Sequence, residues 1–165
     1  MMYGTRMKET SMVTIGPFTF YVDATPRGIS HIRISRKPLS KGESKNKIII
    51  QFMKEMAKFE AGKKGAFRHL QLDTVGTAFQ AKVWEAVRKI PYGETRTYSQ
   101  IAAEVGSPRA VRAVGTAVGK NPVCIVVPCH RVVPAGGGIG QYAYGKAMKQ
   151  WLLDHEAGRR PSEDR

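Results

Sequence analysis

Cysteine is nearly absent from this 165-residue chain, which holds only Cys124 and Cys129. Two thiols cannot build a disulfide framework or a four-cysteine zinc site, and His31 and His69 stand too far along the chain to complete a mixed one. Acidic residues are also few, 13 Asp and Glu against 27 Lys and Arg, for a formal charge of +14 and a pI near 10.1. The longest uninterrupted apolar run, Val123–Val127, is far too short to cross a bilayer. No basic segment followed by an apolar one opens the sequence, so no secretion signal is expected. Unpaired thiols fit a reducing compartment, and a cytoplasmic location is expected. Membrane-spanning, collagen-like and disulfide-stapled classes are excluded. What remains, at 42% apolar and 24% charged residues, is globular composition with enough length for one ordinary domain or two small ones.

The positive charge is spread along the chain and not confined to a tail. A field of this sign rewards anionic partners, because each neutralised phosphate releases counterions. It indicates a partner class without locating a site.

Residues 1–72 read as a small α/β domain. Residues 1–11 are polar and expected to be frayed. Phe18, Phe20 and Val22 alternate with polar or small residues, as Ile32 and Ile34 do with His31 and Arg33, so Met12 to Ile34 predicts strands with a turn at Asp23–Gly28. Arg36–Lys47 reads as a loop. Ile48, Ile49, Phe52, Met56 and Phe59 share one helical face across Lys47–Ala61, and Phe67, Leu70 and Leu72 suggest a further short strand. His31 and His69 read as surface or packed histidines.

A second domain is expected over 73–158, followed by a charged tail, 159–165, without fixed structure. Thr77 with Gln80 forms a capping box ahead of the apolar stripe Phe79, Val83, Trp84, Val87 and Ile90. Thr97 with Gln100 repeats the box, and Gly106 ends the short helix that follows. Ser107 is expected to cap a third helix, with Pro108 at its first position, running to about Val118. Val111, Val114 and Val118 face inward on it, while Arg109, Arg112 and Thr116 lie opposite, among the small residues Ala113 and Gly115. Two short helices joined by a glycine turn read as a helix-turn-helix, or as an ordinary helical hairpin with a basic face.

The apolar run Val123–Val127 reads as extended and ends at Pro128, which brings out Cys129 with His130 and Arg131 beside it. On an extended run a spacing of five puts Cys124 and Cys129 on opposite faces, which argues against a disulfide. Cys124 reads as a small packed residue. A thiolate is the reactive form of cysteine, and an adjacent imidazole and positive charge are what favours it.

The segment Pro128-Cys129-His130-Arg131-Val132-Val133 resembles the active-site signature of the O6-alkylguanine-DNA alkyltransferases. The resemblance runs from about Thr74 to Gly158. It takes in Ile90-Pro91-Tyr92-Gly93-Glu94, Arg112-Ala113-Val114-Gly115, Asn121-Pro122 and Trp151-Leu152-Leu153-Asp154-His155-Glu156. It implies an α+β fold with a ribonuclease-H-like N-terminal domain and a mostly helical C-terminal domain. It also implies direct DNA repair, the irreversible transfer of an alkyl group from O6-alkylguanine, and from O4-alkylthymine as a further substrate, to Cys129. Each molecule would act once, with no metal, nucleotide or methyl-donor cofactor.

By the same resemblance, His130 deprotonates Cys129 through a water, Glu156 orients His130, and Asn121 braces the turns around the site. Tyr98 donates a proton to the departing guanine ring. Backbone groups near Val132 and Ala143 read the flipped base, and Tyr142 stacks in the pocket wall. Tyr144 stands where several family members carry glycine and is expected to narrow the pocket. Arg112 enters the base stack from a helix held in the minor groove, with Ser107, Arg109, Ala113 and Thr116 beside it on the DNA, and the protein acts as a monomer on double-stranded DNA. Some members hold a zinc ion or a disulfide on N-terminal cysteines, and this chain has no cysteine before Cys124.

Two competing readings have discriminating features. Non-enzymatic alkyltransferase-like proteins, which bind the lesion without repairing it, resemble the same fold but lack the acceptor cysteine, which this chain keeps. A helix-turn-helix regulator would need base-reading side chains on the face around Arg112, which is mostly small, and a cysteine hydrolase would turn over repeatedly.

Overall fold

The computed structural model describes residues 8–35 and 44–159. The first seven residues, most of the expected Arg36–Lys47 loop and nearly all of the expected tail lie outside the described residues. The chain divides between Val75 and Gly76 into two compact units. Together they make a mixed α+β fold. Among the described residues, no helix is long and apolar enough to cross a membrane.

In the first unit, strands β1 (Glu9–Ile15), β2 (Phe18–Thr25) and β3 (Gly28–Ser35) form an antiparallel meander in that order. The strand pattern begins earlier than the sequence suggests. Glu9–Ser11 are paired with β2 rather than frayed, because Thr10 Oγ1 donates to Asp23 Oδ1 at 2.7 Å across the register. The central strand is covered on both faces, with Phe20, Val22 and Ala24 buried on one and Thr19, Asp23 and Thr25 on the other. Asp23 is matched by Lys8 at 2.9 Å and Arg33 at 3.3 Å. Burial pulls its carboxyl up, but those partners and Thr10 more than offset this and leave it below its ordinary value.

Helix α1 (Lys47–Glu60) starts where Asn46 accepts from the N–H groups of Ile48 and Ile49, and it buries Ile49, Phe52, Met56 and Phe59. The strand expected from Phe67 to Leu72 does not form. Phe67 instead takes a left-handed conformation, φ 68°, with its N–H caught by Glu55 Oε2 at 3.1 Å and its ring against Phe52 and Phe59. Only Leu72 makes a bridge, to Ile29. Gly28 permits the close approach there, since a Cβ at that position would lie 2.7 Å from the Gln71 carbonyl carbon.

The second unit contains helices α2 (Ala78–Arg88), α3 (Tyr98–Glu104), α4 (Val111–Gly119) and α5 (Lys146–Glu156), with the two-residue parallel strands β4 (Arg96–Thr97) and β5 (Val132–Val133). Both capping boxes form, at Thr77–Gln80 and Thr97–Gln100. Gly106, at φ 78°, turns the chain after α3. The next helix begins later than the sequence suggests. Ser107 caps no helix; its carbonyl accepts from the Ala110 N–H at 2.9 Å in a separate turn, and α4 opens at Val111 behind Ala110 without a side-chain cap. Arg109 therefore lies in the turn and not on the helix, and Val111 is half-buried rather than facing the core.

Helices α2 and α4 pack together, and Trp84 Nε1 donates to the Ala117 carbonyl at 2.8 Å in the core. Trp84→Phe keeps an aromatic ring but removes that bond and leaves the carbonyl to the Lys120 N–H at 3.2 Å, so it should cost about 1 kcal/mol. Urea unfolding followed by circular dichroism would measure the loss, and an unchanged midpoint would contradict it.

Candidate active site

The apolar run before the signature does not extend as its composition suggests. Val127 N–H donates back to the Val123 carbonyl at 3.0 Å, Cys124 bridges Val127, and Ile125 sits at φ 70°. A β-branched residue resists that conformation, and the turn is held from outside by Asn121. The Asn121 amide donates to the Val127 carbonyl at 2.7 Å, while its oxygen accepts from the Val123 N–H at 3.0 Å. The turn also puts both cysteines on one cavity, which overturns the opposite-faces expectation. Neither cysteine is in a disulfide, and both are buried.

That cavity has a volume of about 230 Å³. Cys129, Cys124 and Asn121 form one part of its lining, Tyr98, Gly115, Val118 and Gly119 a second, and Gln141, Tyr142, Ala143 and Tyr144 a third. The β4–β5 pairing, Arg96 with Val132, carries Tyr98 to the segment that follows Cys129. Val132 is fully buried in β5, and its carbonyl accepts from Lys149. Tyr142 and Tyr144 meet edge to face at 5.8 Å. The Tyr144 hydroxyl shares a hydrogen bond with Cys124, and burial holds the Cys124 thiol well above its ordinary value despite that contact.

Cys129 opens a 3-10 turn, Cys129–Arg131, and all three side chains are buried. His130 Nε2 pairs with Glu156 Oε2. Glu156 Oε1 accepts from Arg131 Nε at 2.6 Å and from the Gly93 N–H at 3.3 Å. Among the described residues, His130 Nδ1 bonds no protein group. With Nε2–H directed at Glu156, Nδ1 carries the free lone pair and is the basic nitrogen. Burial and the charges of Arg131 and Lys149 outweigh Glu156 and push the imidazole below its ordinary value, so it is neutral near pH 7.

The sequence pointed to His130 and Arg131 as the positive surroundings of the thiol. The structure gives that place to Lys149, which sequence reasoning missed. Burial pushes the Cys129 thiol up, while the Asn121 and Tyr142 side chains and the Lys149 charge pull it back. Lys149 is fully buried, donates from Nζ to the carbonyls of Val132 at 2.7 Å and Gln141 at 3.1 Å, and has its own pKa lowered by burial to about 8. A signal was present: residues 149, 152 and 156 share one face of α5, so this lysine lies on the apolar stripe. Tyr98 is half-buried, and burial followed by the Cys129 charge raises its hydroxyl above its ordinary value.

Arg112, Ala113 and Thr116 are exposed on α4, with Thr116 Oγ1 donating to the Arg112 carbonyl at 3.2 Å. Ser107 and Arg109 line a shallow surface hollow in the preceding turn. These five residues lie on two adjoining elements, apart from the Cys129–His130–Glu156 group. His155 stacks on Trp151 at 5.3 Å.

Comparison with known proteins gives this site a context. The family described as "6-O-methylguanine DNA methyltransferase, DNA binding domain" matches residues 78–158. The "Probable methylated-DNA--protein-cysteine methyltransferase" of Acanthamoeba polyphaga mimivirus is 49% identical over 113 residues, covering 68% of this chain and 75% of that one. The "Methylated-DNA--protein-cysteine methyltransferase, inducible" of Bacillus subtilis is 35% identical over 159 residues and 88% of each chain. A crystal structure of Mycobacterium tuberculosis OGT in complex with DNA superposes with a TM-score of 0.78 at 31% identity, over 93% of this chain and 95% of that one. With a cysteine, a histidine and a glutamate gathered beside a tyrosine-walled cavity, and with relatives matched over most of their length, the chain belongs to the methylated-DNA--protein-cysteine methyltransferase family.

Proposed function

We propose that this protein repairs O6-alkylguanine in DNA by moving the alkyl group to Cys129, with the residues of the cavity in distinct roles. The observation that carries the reading is the cavity itself, in which an acceptor thiol, a tyrosine hydroxyl and a bracing asparagine meet. His130 takes the thiol proton from its Nδ1 side through a water, and Glu156 fixes the tautomer. The sulfur then attacks the alkyl carbon, a carbon–sulfur bond forms, and the bond from that carbon to guanine O6 breaks. Tyr98 supplies a proton to the guanine ring, so the base leaves neutral. The proton taken up by His130 then replaces, through solvent, the one given up by Tyr98, so in balance thiol and alkylguanine become thioether and guanine. A thioether is not readily cleaved by water or by His130, so each molecule acts once.

Arg112 fills the gap left by the flipped nucleotide, and Ser107, Arg109, Ala113 and Thr116 lie along the backbone, with α3 and α4 acting as a helix-turn-helix in the minor groove. Small, exposed residues beside Arg112 support that reading, because they let the helix approach closely. Ala143, Tyr142 and Tyr144 form the base pocket with Val132 behind it, and Tyr144 limits the alkyl size accepted. The three-stranded meander followed by a helix supports a ribonuclease-H-like first domain, and the protein acts as a monomer.

Intact-mass spectrometry after incubation with duplex DNA carrying one O6-methylguanine tests the reading. The expected result is a gain of one methyl group on Cys129, saturating at one per molecule and absent in Cys129→Ala. Lesion binding with no gain in mass would replace the enzyme with a lesion-binding protein.

A further inference from the structure

Glu156 is shared by two buried bases. One carboxylate oxygen faces His130, and the other receives Arg131 through Nε at 2.6 Å and Nη2 at 2.5 Å. Arg131 is anchored on its far side as well. Nη1 donates to the Ile90 carbonyl at 2.7 Å, and the guanidinium carbon lies 5.6 Å from the centre of the Tyr92 ring. The side chain is 9% exposed. Burying a guanidinium is expensive, and a well-packed apolar side chain in its place is often no less stable. The transfer chemistry described above makes no use of this charge.

A carboxylate that faces an imidazole alone, away from water, draws a proton onto the ring and leaves an imidazolium–carboxylate pair. An imidazolium cannot accept the proton of a thiol. Arg131 already occupies the other oxygen of Glu156, so the carboxylate charge is compensated before His130 meets it. We propose that Arg131 is a positioning residue for alkyl transfer: it holds Glu156 in place and, by neutralising it, keeps His130 a neutral base. This rests on the reading of His130 as that base. The charged and titratable groups around the ring are Glu156 and Lys149 from α5 and Cys129 and Arg131 from its own turn, with Tyr92 behind Arg131. Of these, Glu156 alone draws the proton on, and Arg131 is the cation bonded to it.

The test measures the rate of alkyl transfer from free O6-benzylguanine to Cys129 as a function of pH, so that DNA binding does not enter. Arg131→Met should move the acidic limb of the profile upward by about one pH unit, making transfer roughly tenfold slower on that limb and near normal at alkaline pH. Arg131→Lys keeps the charge and should leave the limb in place. A variant that is slower by one factor at every pH, or not slower at all, would overturn the proposal. His130→Ala, run alongside, separates the two ideas. If it abolishes the limb while Arg131→Met leaves it unmoved, the role of Arg131 alone fails; if the limb survives in His130→Ala, the base reading fails with it. Should Arg131→Met not fold, the wild-type protein decides. Its His130 ring nitrogens should report a neutral, Nε2-protonated ring by NMR at pH 7, and a doubly protonated ring there rejects the proposal.

Discussion

Replacing Glu156 with alanine should destabilise the protein by about 3–5 kcal/mol, because the change strands two buried bases at once. The Glu156 side chain is 2% exposed, and it meets His130 and Arg131 from one turn and the Gly93 N–H from another segment. Without the carboxylate, the Arg131 guanidinium keeps its bond to Ile90 but has no counter-charge, and His130 loses the group that fixes its tautomer. Glu156→Gln retains a hydrogen-bonding side chain of similar shape and should cost less. The same hub sets an acid dependence. Burial alone would raise the carboxyl, yet His130, Arg131 and the Gly93 N–H together hold it below its ordinary value of 4.5. A group with a lowered folded-state pKa stabilises the fold above its unfolded value, and that contribution fades as pH falls through the folded one. The wild type should therefore lose stability on acidification below about pH 4.5, and Glu156→Gln should lose less there. Urea unfolding at neutral and acidic pH would measure both effects, and an alanine variant as stable as wild type at pH 7 would remove Glu156 from the centre of the site.

What could be read from sequence was local. Both capping boxes need only a threonine and a glutamine three residues apart, and both formed. The α1 stripe needed only its period, and the helix ended within one residue of the expected position. The Cys129-His130 dipeptide and the distant Glu156 were legible through family resemblance, not through spacing, since 26 residues separate the paired histidine and glutamate. The failures share a cause. Ser107 has the right side chain for a cap, but its carbonyl was taken by a preceding turn. Ile125 looks like a strand residue, but Asn121 closes the turn around it. Phe67 has strand propensity, and a carboxylate twelve residues earlier holds its N–H instead. In each case a specific hydrogen bond, within a turn at Ser107 and at Asn121 and from twelve residues away at Phe67, overrode a propensity worth less than about 1 kcal/mol.

Lys149→Met should slow alkyl transfer about tenfold or more at neutral pH, since each unit added to the thiol pKa removes nine-tenths of the thiolate. Lys149 donates to two carbonyls, and the charge it faces in the cavity is that of Cys129. Methionine fills a similar space without the charge, so the thiol would keep the full cost of burial and the reactive form would become scarcer. Stability should respond differently from rate. The folded-state pKa of Lys149, about 8, lies below its ordinary 10.5, so the unfolded chain binds more protons between those values and wild-type stability rises with pH across that window. The methionine variant should lack that rise. At neutral pH it sheds a buried charge while leaving two carbonyls unpaired, and these opposing terms should keep its melting temperature near wild type. Alkylation of Cys129 by iodoacetamide across pH, with thermal melts on the same samples, reads both quantities. A shifted thiol profile in Lys149→Met that Lys149→Arg restores would make Lys149 the cation that activates the acceptor. An unshifted profile in both would reduce it to a tie between β5 and the loop that carries Tyr142 and Tyr144.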